Sequence, residues 1–221
     1  RAELGIEVLR MYAMAECMAN ASTVLTDPER DRDEMDGRPG PGDELAVFDN
    51  DRTPVPVGEV GEIGLRGASL FAGYLGRPGD KEALMTEDGY FLSGDLGRIT
   101  PEGYVKVVGR KKDMIIRGGF NIDPSEVEEM IRKHAAVLQV AVVGYPDDKY
   151  GERACAVVST RPEGSIDHAG LISHLLSLGL SKEKLPERLV LCGGFPLSPD
   201  GKILKAELKS RLAEDPELVT L

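Results

Sequence analysis

Arg110-Lys111-Lys112-Asp113-Met114-Ile115-Ile116-Arg117-Gly118-Gly119-Phe120-Asn121-Ile122 is where the texture of this chain changes. Consecutive cations lead into a short apolar strand, and a glycine pair follows where a hairpin has to turn tightly. A helix start comes at once. Asp123 suits the N-cap, Pro124 the first helical position, and Glu126 lies three residues after the cap. Taken alone, the stretch also reads as a solvated basic hairpin. Residues 114–116 are expected to pair with residues 104–108 as a hairpin across this junction.

Upstream, short alternating runs at 44–48, 62–66, 90–92 and 104–108 are separated by turn signals such as Asp49-Asn50, Asp88-Gly89 and Glu102-Gly103. That spacing predicts a small antiparallel or distorted β-barrel. Leu4, Ile6, Val8 and Leu9 read as the end of a larger layer, a helix-to-strand passage, and 27–42 as a polar loop. Downstream, Val127, Met130 and Ile131 form an apolar helical stripe. Strands are expected at 137–145, 153–160 and 189–192, and helices at 171–178 and 202–212. The pattern βαββαβα reads as a compact α+β domain.

The net charge of −11 argues against a general nucleic-acid binder, because phosphate neutralisation needs a basic face. No apolar run approaches the ~20 residues that span a bilayer, and no signal peptide is expected. Cys17, Cys155 and Cys192 lack metal spacing and are expected as reduced thiols of a cytoplasmic protein. His134, His168 and His174 read as surface or helix histidines, and acidic 27–36 as a solvated loop. A start at Arg1 in mid-pattern fits an excised piece of a longer protein.

Some segments carry chemistry. In Ser93-Gly94-Asp95 the glycine permits a sharp turn, and the aspartate can accept two hydrogen bonds from a vicinal diol such as ribose; a plain surface turn is the alternative. Glu16, in Tyr12-Ala13-Met14-Ala15-Glu16, is a hard oxygen ligand suited to Mg²⁺, or else a helix-start glutamate. Lys202 follows a tight Asp200-Gly201 turn; Ile203 after it excludes a P-loop.

In this order, Tyr12–Glu16, Gly61-Glu62-Ile63-Gly64-Leu65-Arg66-Gly67 with Phe71-Ala72-Gly73-Tyr74, Gly89–Gly97, the Arg110–Gly119 stretch and Pro196–Lys202 resemble the second half of an adenylate-forming enzyme, most closely an acyl-CoA synthetase of the medium-chain or alicyclic/aromatic acid branch. The resemblance implies that 1–109 is the tail of a large adenylation domain, 110–112 a hinge, and 113–221 a C-terminal lid. It implies activation of a small-molecule carboxylic acid with ATP and Mg²⁺ to acyl-AMP, then transfer to CoA as the lid swings.

By the same resemblance Lys202 is catalytic, bridging the carboxylate and α-phosphate. Tyr12, Asp95 and Arg110 bind nucleotide, with Tyr12 near adenine, Asp95 on ribose, and Arg110 on ribose or α-phosphate. Glu16 holds the metal and Lys112 is the hinge residue. Gly118, Gly119 and Asn121 border CoA, and the 61–74 block is architectural. Ala13 and Ala15 depart from the Gly and Thr of the family motif, removing a hydroxyl at the phosphate. The phosphate loop belongs upstream of Tyr12, so the isolated 221-residue chain is expected to show no pyrophosphate exchange. Two other readings stand: a module loading a carrier protein's phosphopantetheine, and a non-catalytic interaction module.

Overall fold

The computed structural model describes residues 5–215, so Leu4 and residues 216–221 lie outside it. The chain forms two compact units that divide between Lys112 and Asp113. The α+β class expected from the sequence is what is found, with helices and open sheets in both units.

In the first unit, β1 (Met11–Met14) and β2 (Cys17–Ser22) form a hairpin, followed by a short helix α1 (Glu29–Glu34). Residues 5–10 carry no helix, and Ile6, Val8 and Leu9 are exposed. Strands β3 (Asp43–Phe48), β4 (Gly61–Gly67), β5 (Phe91–Ile99) and β6 (Val105–Arg110) make an antiparallel meander in that order, with helix α2 (Asp80–Ala83) between β4 and β5. Ile63, Leu65, Phe91 and Val105 pack with Tyr12, Cys17 and Ala21 as its core.

The expected barrel does not close by strand ladders. Single bridges, Gly37↔Val105 and Ser22↔Arg38, carry the edge of β6 to β2. Pro39 and Pro41 follow directly and have no amide to extend that pairing. Gly37 has φ +106, and a Cβ there would lie 2.0 Å from the Ser22 carbonyl carbon, so only glycine fits.

The 27–36 segment is not a solvated loop. It contains α1, and both its end carboxylates are buried. Asp27 accepts from the Tyr104 hydroxyl (2.8 Å), the Val24 amide (2.8 Å) and Arg38 (2.5 Å). Asp36 accepts from the Val107 amide (2.8 Å) and pairs with Arg10 (2.8 Å). These donors offset the desolvation of each charge, and two of them, Tyr104 and Val107, lie 77 and 71 residues along the chain from the carboxylates they meet.

In the second unit, β7 (Ile115–Arg117) pairs with β8 (Phe120–Ile122) and, through Arg117↔Gly151, with the start of a later strand. The expected hairpin between 114–116 and 104–108 is therefore corrected: the partner of β6 is β5. Gly118 (φ +56) and Gly119 (φ +88) supply the two left-handed positions of a two-residue turn, which closes a far shorter loop than pairing across the junction would. Helix α3 (Pro124–Arg132) is capped as expected, with the Ser125 amide donating to Asp123 Oδ1 at 2.9 Å. Glu126 meets Lys184 at 2.6 Å.

Strands β9 (Val137–Asp147) and β10 (Gly151–Thr160) form a long antiparallel pair, and β11 (Arg188–Leu191) joins β10 in parallel after helix α4 (His168–Ser177). Alternate residues face opposite sides. Val140, Val142, Ala154, Ala156 and Val158 pack on α3 and α4 through Val127, Ile131, Leu171 and Leu175. Ala141, Val143, Cys155 and Val157 pack on helix α5 (Lys205–Glu214) through Leu208 and Leu212. Burial on both faces explains the unbroken apolar runs of these strands. Each fully buried leucine contributes ~1.5–3 kcal/mol.

Candidate active site

The Ser93-Gly94-Asp95 segment is not a free turn but a bulge inside β5. Glu62 pairs with Leu96 and Gly64 with Leu92, so one residue of β4 lies opposite Ser93, Gly94 and Asp95. Gly94 takes φ +75 to accommodate the excess. Ser93 Oγ donates to the Ile63 carbonyl at 2.7 Å, and the Gly94 amide donates to Glu62 Oε1 at 3.1 Å. These bonds hold the bulge in place, and Asp95 leaves it paired with Arg110 in the β5–β6 ladder.

Three elements converge on Asp95. It lies directly across β5–β6 from Arg110, whose Nε donates to Oδ1 at 3.0 Å. Tyr12, from β1, donates its hydroxyl to Oδ2 at 2.8 Å. The Tyr12 ring is in the core of the first unit. Burial first, and then the Asp95 charge, push its phenol pKa well above the ordinary tyrosine value, so it stays a neutral donor. An ionised carboxylate has about four lone-pair sites, and two are used here. The remaining pair can accept a vicinal diol.

Ala15 and Glu16 form the turn of the β1–β2 hairpin, not a helix start. Glu16 Oε1 accepts from the Tyr74 hydroxyl at 2.8 Å, and the Glu16 carbonyl accepts from the Phe71 amide at 2.8 Å. The 71–74 segment therefore orients Glu16 as well as packing. Burial and the neighbouring Glu16 raise the Tyr74 phenol above its ordinary value. Among the described residues no three His, Cys, Asp or Glu side chains converge as a metal cluster. A divalent cation here would take Glu16 plus phosphate and water oxygens, which suits Mg²⁺ with its nucleotide.

Lys111 meets Glu62 Oε2 at 2.8 Å, while Lys112 is exposed in a 3-10 turn, Lys111–Asp113. A cavity of about 540 Å³, lined by Pro28, Met35, Gly58, Arg98 and Pro101 among others, contains none of these groups. Its walls carry the carboxylates of Asp31 and Glu102 but none of the converging side chains described above, and those side chains rather than this hollow mark the site.

In the second unit Lys202 stands on a tight turn, and α5 begins only at Lys205. Gly201 takes φ +81, the Ser198 amide donates to the Lys202 carbonyl (2.8 Å), and the Lys202 amide donates to Ser198 Oγ (3.0 Å). The Lys202 side chain is 82 % exposed, with Nζ 2.8 Å from Asp200 Oδ2. That contact and the Ser198 hydroxyl hold the Asp200 carboxyl down at about 2. Glu128, buried in α3, accepts from the Val142 amide (2.7 Å) and from Lys205 Nζ (2.7 Å), which anchors the helix directly after this turn.

The Gly118-Gly119 turn is exposed, as is Asn121 on β8. The Gly118 amide donates to the Tyr150 carbonyl at 2.8 Å, and a Cβ on Gly118 would come 3.1 Å from Tyr150 Cδ1. His134 and His174 pack edge to face at 5.0 Å and take no part. Glu62, Tyr74 and Glu128 are the positioning residues that sequence reasoning missed. The only signal was a carboxylate amid apolar neighbours, as in Gly61-Glu62-Ile63.

Family profiles described as AMP-binding enzyme and AMP-binding enzyme C-terminal domain match residues 1–75 and 126–202. The medium-chain fatty-acid–CoA ligase of Escherichia coli is 35 % identical over 216 residues, 96 % of this chain and 38 % of the relative. The 2,3-dihydroxybenzoate-AMP ligase of Bacillus subtilis is 36 % identical over 215 residues, 97 % of this chain and 40 % of the relative. Crystalline ATP-bound MatB from Rhodopseudomonas palustris superposes with TM-score 0.87 at 33 % identity, over 94 % of this chain and 41 % of that one. The chain spans about two fifths of the length of these relatives. Among the described residues no helix is long and apolar enough to cross a membrane.

Proposed function

The chain belongs to the AMP-binding enzyme family of adenylate-forming ligases, and on that footing we propose that it serves an acid–thiol ligase. A carboxylate oxygen attacks the α-phosphorus of ATP, the bond to the β-phosphate breaks, and pyrophosphate leaves. A thiol sulfur then attacks the acyl carbonyl, loses its proton, and AMP departs with the electrons of the acyl–oxygen bond. CoA is the proposed thiol donor, and a medium-chain or alicyclic/aromatic carboxylic acid the proposed substrate class. The unpaired, buried cysteines support a reducing, cytoplasmic setting.

The observation that carries this reading is Asp95. Its two oxygens are each pinned by one donor, from Tyr12 and from Arg110, and each keeps one site for a ribose hydroxyl. Arg110 also presents further guanidinium donors suited to an α-phosphate. Glu16 would hold Mg²⁺, which neutralises phosphate charge while Tyr74 fixes the carboxylate. Ala15 leaves the phosphate without a side-chain hydroxyl from this turn.

Two approaching anions need a cation between them, and we assign that role to Lys202. Its exposed ammonium is loosely held by Asp200, so it can exchange that partner for the carboxylate and the α-phosphate. The thiol step is assigned to the Gly118-Gly119 turn, with the Asn121 amide as a hydrogen-bonding partner of the pantetheine. Lys112 is assigned as the hinge residue between the half-reactions, since it is exposed and its charge stays solvated in either setting.

A carrier-protein phosphopantetheine is the second acceptor to consider, because a relative of equal similarity is named as an acid–AMP ligase. The test compares wild type and Lys202→Ala in the protein that carries this chain. Pyrophosphate exchange should fall ~10²–10³-fold, while thioester formation from supplied acyl-AMP persists with CoA and not with a carrier. Undiminished exchange in the variant overturns the assignment.

A further inference from the structure

Glu62 divides its carboxylate between two partners that the adenylation chemistry does not use. Oε1 accepts from the Gly94 amide at 3.1 Å and Oε2 from Lys111 Nζ at 2.8 Å. The glutamate side chain is 9 % exposed and that of Lys111 44 % exposed, so the carboxylate is desolvated while the ammonium stays wet. A buried carboxylate in a strand of Gly, Ile and Leu persists only when donors satisfy it.

The placement of those donors is informative. Gly94 immediately precedes Asp95, and Lys111 lies between Arg110 and Lys112. Arg110 in turn donates to Asp95. The connections therefore form a closed ring: Glu62 to Gly94, along the chain to Asp95, across to Arg110, along the chain to Lys111, and back to Glu62. A group that occupies the free sites of Asp95 stiffens one side of the ring and, through Glu62, the other.

We propose that Glu62 is a positioning residue that couples occupancy of Asp95 to the backbone setting of residues 110–112. It holds Lys111 down when the diol site is filled and lets the turn at 111–113 loosen when it is empty. The proposal rests on the nucleotide reading of Asp95. It assigns Glu62 no contact with substrate.

Trypsin cleaves after Arg110, Lys111 and Lys112, so the intact chain reports on this segment directly. Cleavage at each bond is followed by mass spectrometry with and without AMP, and AMP affinity is measured by calorimetry in parallel. In the wild type, AMP should slow these cleavages about fivefold or more, since proteolysis tracks the population of opened segment. Glu62→Gln keeps an acceptor for the Gly94 amide, so it should bind AMP within about twofold of wild type yet lose the protection. Lys111→Met should lose it too, read after Arg110 and Lys112, and Lys111→Arg should restore it.

Retained protection in Glu62→Gln, with AMP bound, overturns the coupling. If Glu62→Gln does not fold, Lys111→Met decides, because that side chain is largely solvated. If wild type binds no AMP, the nucleotide reading falls instead, and the tie is judged on nucleotide-free digestion. Faster cleavage after Lys112 in both variants than in wild type then supports the tie, and equal rates refute it.

Discussion

Replacing Asp95 by Asn removes a charge where half of the acceptor sites are already committed. Tyr12 and Arg110 occupy one site on each oxygen, at 2.8 and 3.0 Å. The amide can keep Arg110 only by turning its oxygen there and its NH₂ towards Tyr12, whose hydroxyl then accepts. A ribose diol would then face one neutral acceptor and one donor. Hydrogen bonds to a charged partner contribute ~1.5–3 kcal/mol and neutral ones ~0.5–1.5 kcal/mol. Weakening one and losing the other costs ~2–3 kcal/mol, which weakens AMP binding ~30- to 150-fold. The assay is calorimetric titration of wild type and Asp95→Asn with AMP and with 2′,3′-dideoxy-AMP, after confirming equal melting temperatures. Wild type should prefer AMP by at least that factor, and the variant should lose most of that preference. The reasoning fails if Asp95→Asn binds AMP within about threefold of wild type, or if the preference for the diol survives.

Ala15→Thr restores a hydroxyl to the β1–β2 turn, and the KM for ATP should fall several-fold, by ~0.5–1.5 kcal/mol, in steady-state assays of the protein carrying this chain; an unchanged KM shows that the phosphate is met elsewhere. Asp27→Ala strips partners from the buried Tyr104 hydroxyl and from Arg38 and should cost ~2–4 kcal/mol in urea unfolding. Burial raises the Asp27 pKa, but the Val24 amide, the Tyr104 hydroxyl and Arg38 outweigh it and hold the group below its ordinary 3.8. Its folded value is therefore depressed, so its contribution is complete above 3.8 and is lost as pH falls through the lower folded value. Wild type should lose stability over that window more steeply than Asp27→Ala. Gly118→Ala meets both a left-handed φ of +56 and a contact of 3.1 Å with Tyr150, whereas Gly119→Ala meets only the φ of +88. The first should destabilise by ~1–2 kcal/mol more than an ordinary surface change, and more than the second, in thermal melts.

Much of the architecture was legible because its determinants are local. The Asp123 cap, the Pro124 start, the glycine pair of the β7–β8 turn and the apolar stripe of α3 all act within a few residues, so a linear reading finds them. The candidate site was legible as residue types for a related reason. A diol acceptor, a hard oxygen ligand and a cation on a tight turn each have chemistry that needs no partner to be named.

Burial and pairing were not legible, because they depend on groups brought from far along the chain. Nothing near Asp27 shows that Tyr104, 77 residues away, will reach its carboxylate. Nothing in Gly61-Glu62-Ile63 shows that Gly94 and Lys111 will claim the two oxygens of Glu62, or that Ser93-Gly94-Asp95 will be a bulge within a strand. Residue order alone determined the turns, the caps, the helical faces and the reactive side chains. Only the tertiary structure decided which carboxylates are desolvated and which donors hold them, because that balance between lost hydration and gained hydrogen bonds exists only once the strands are in register.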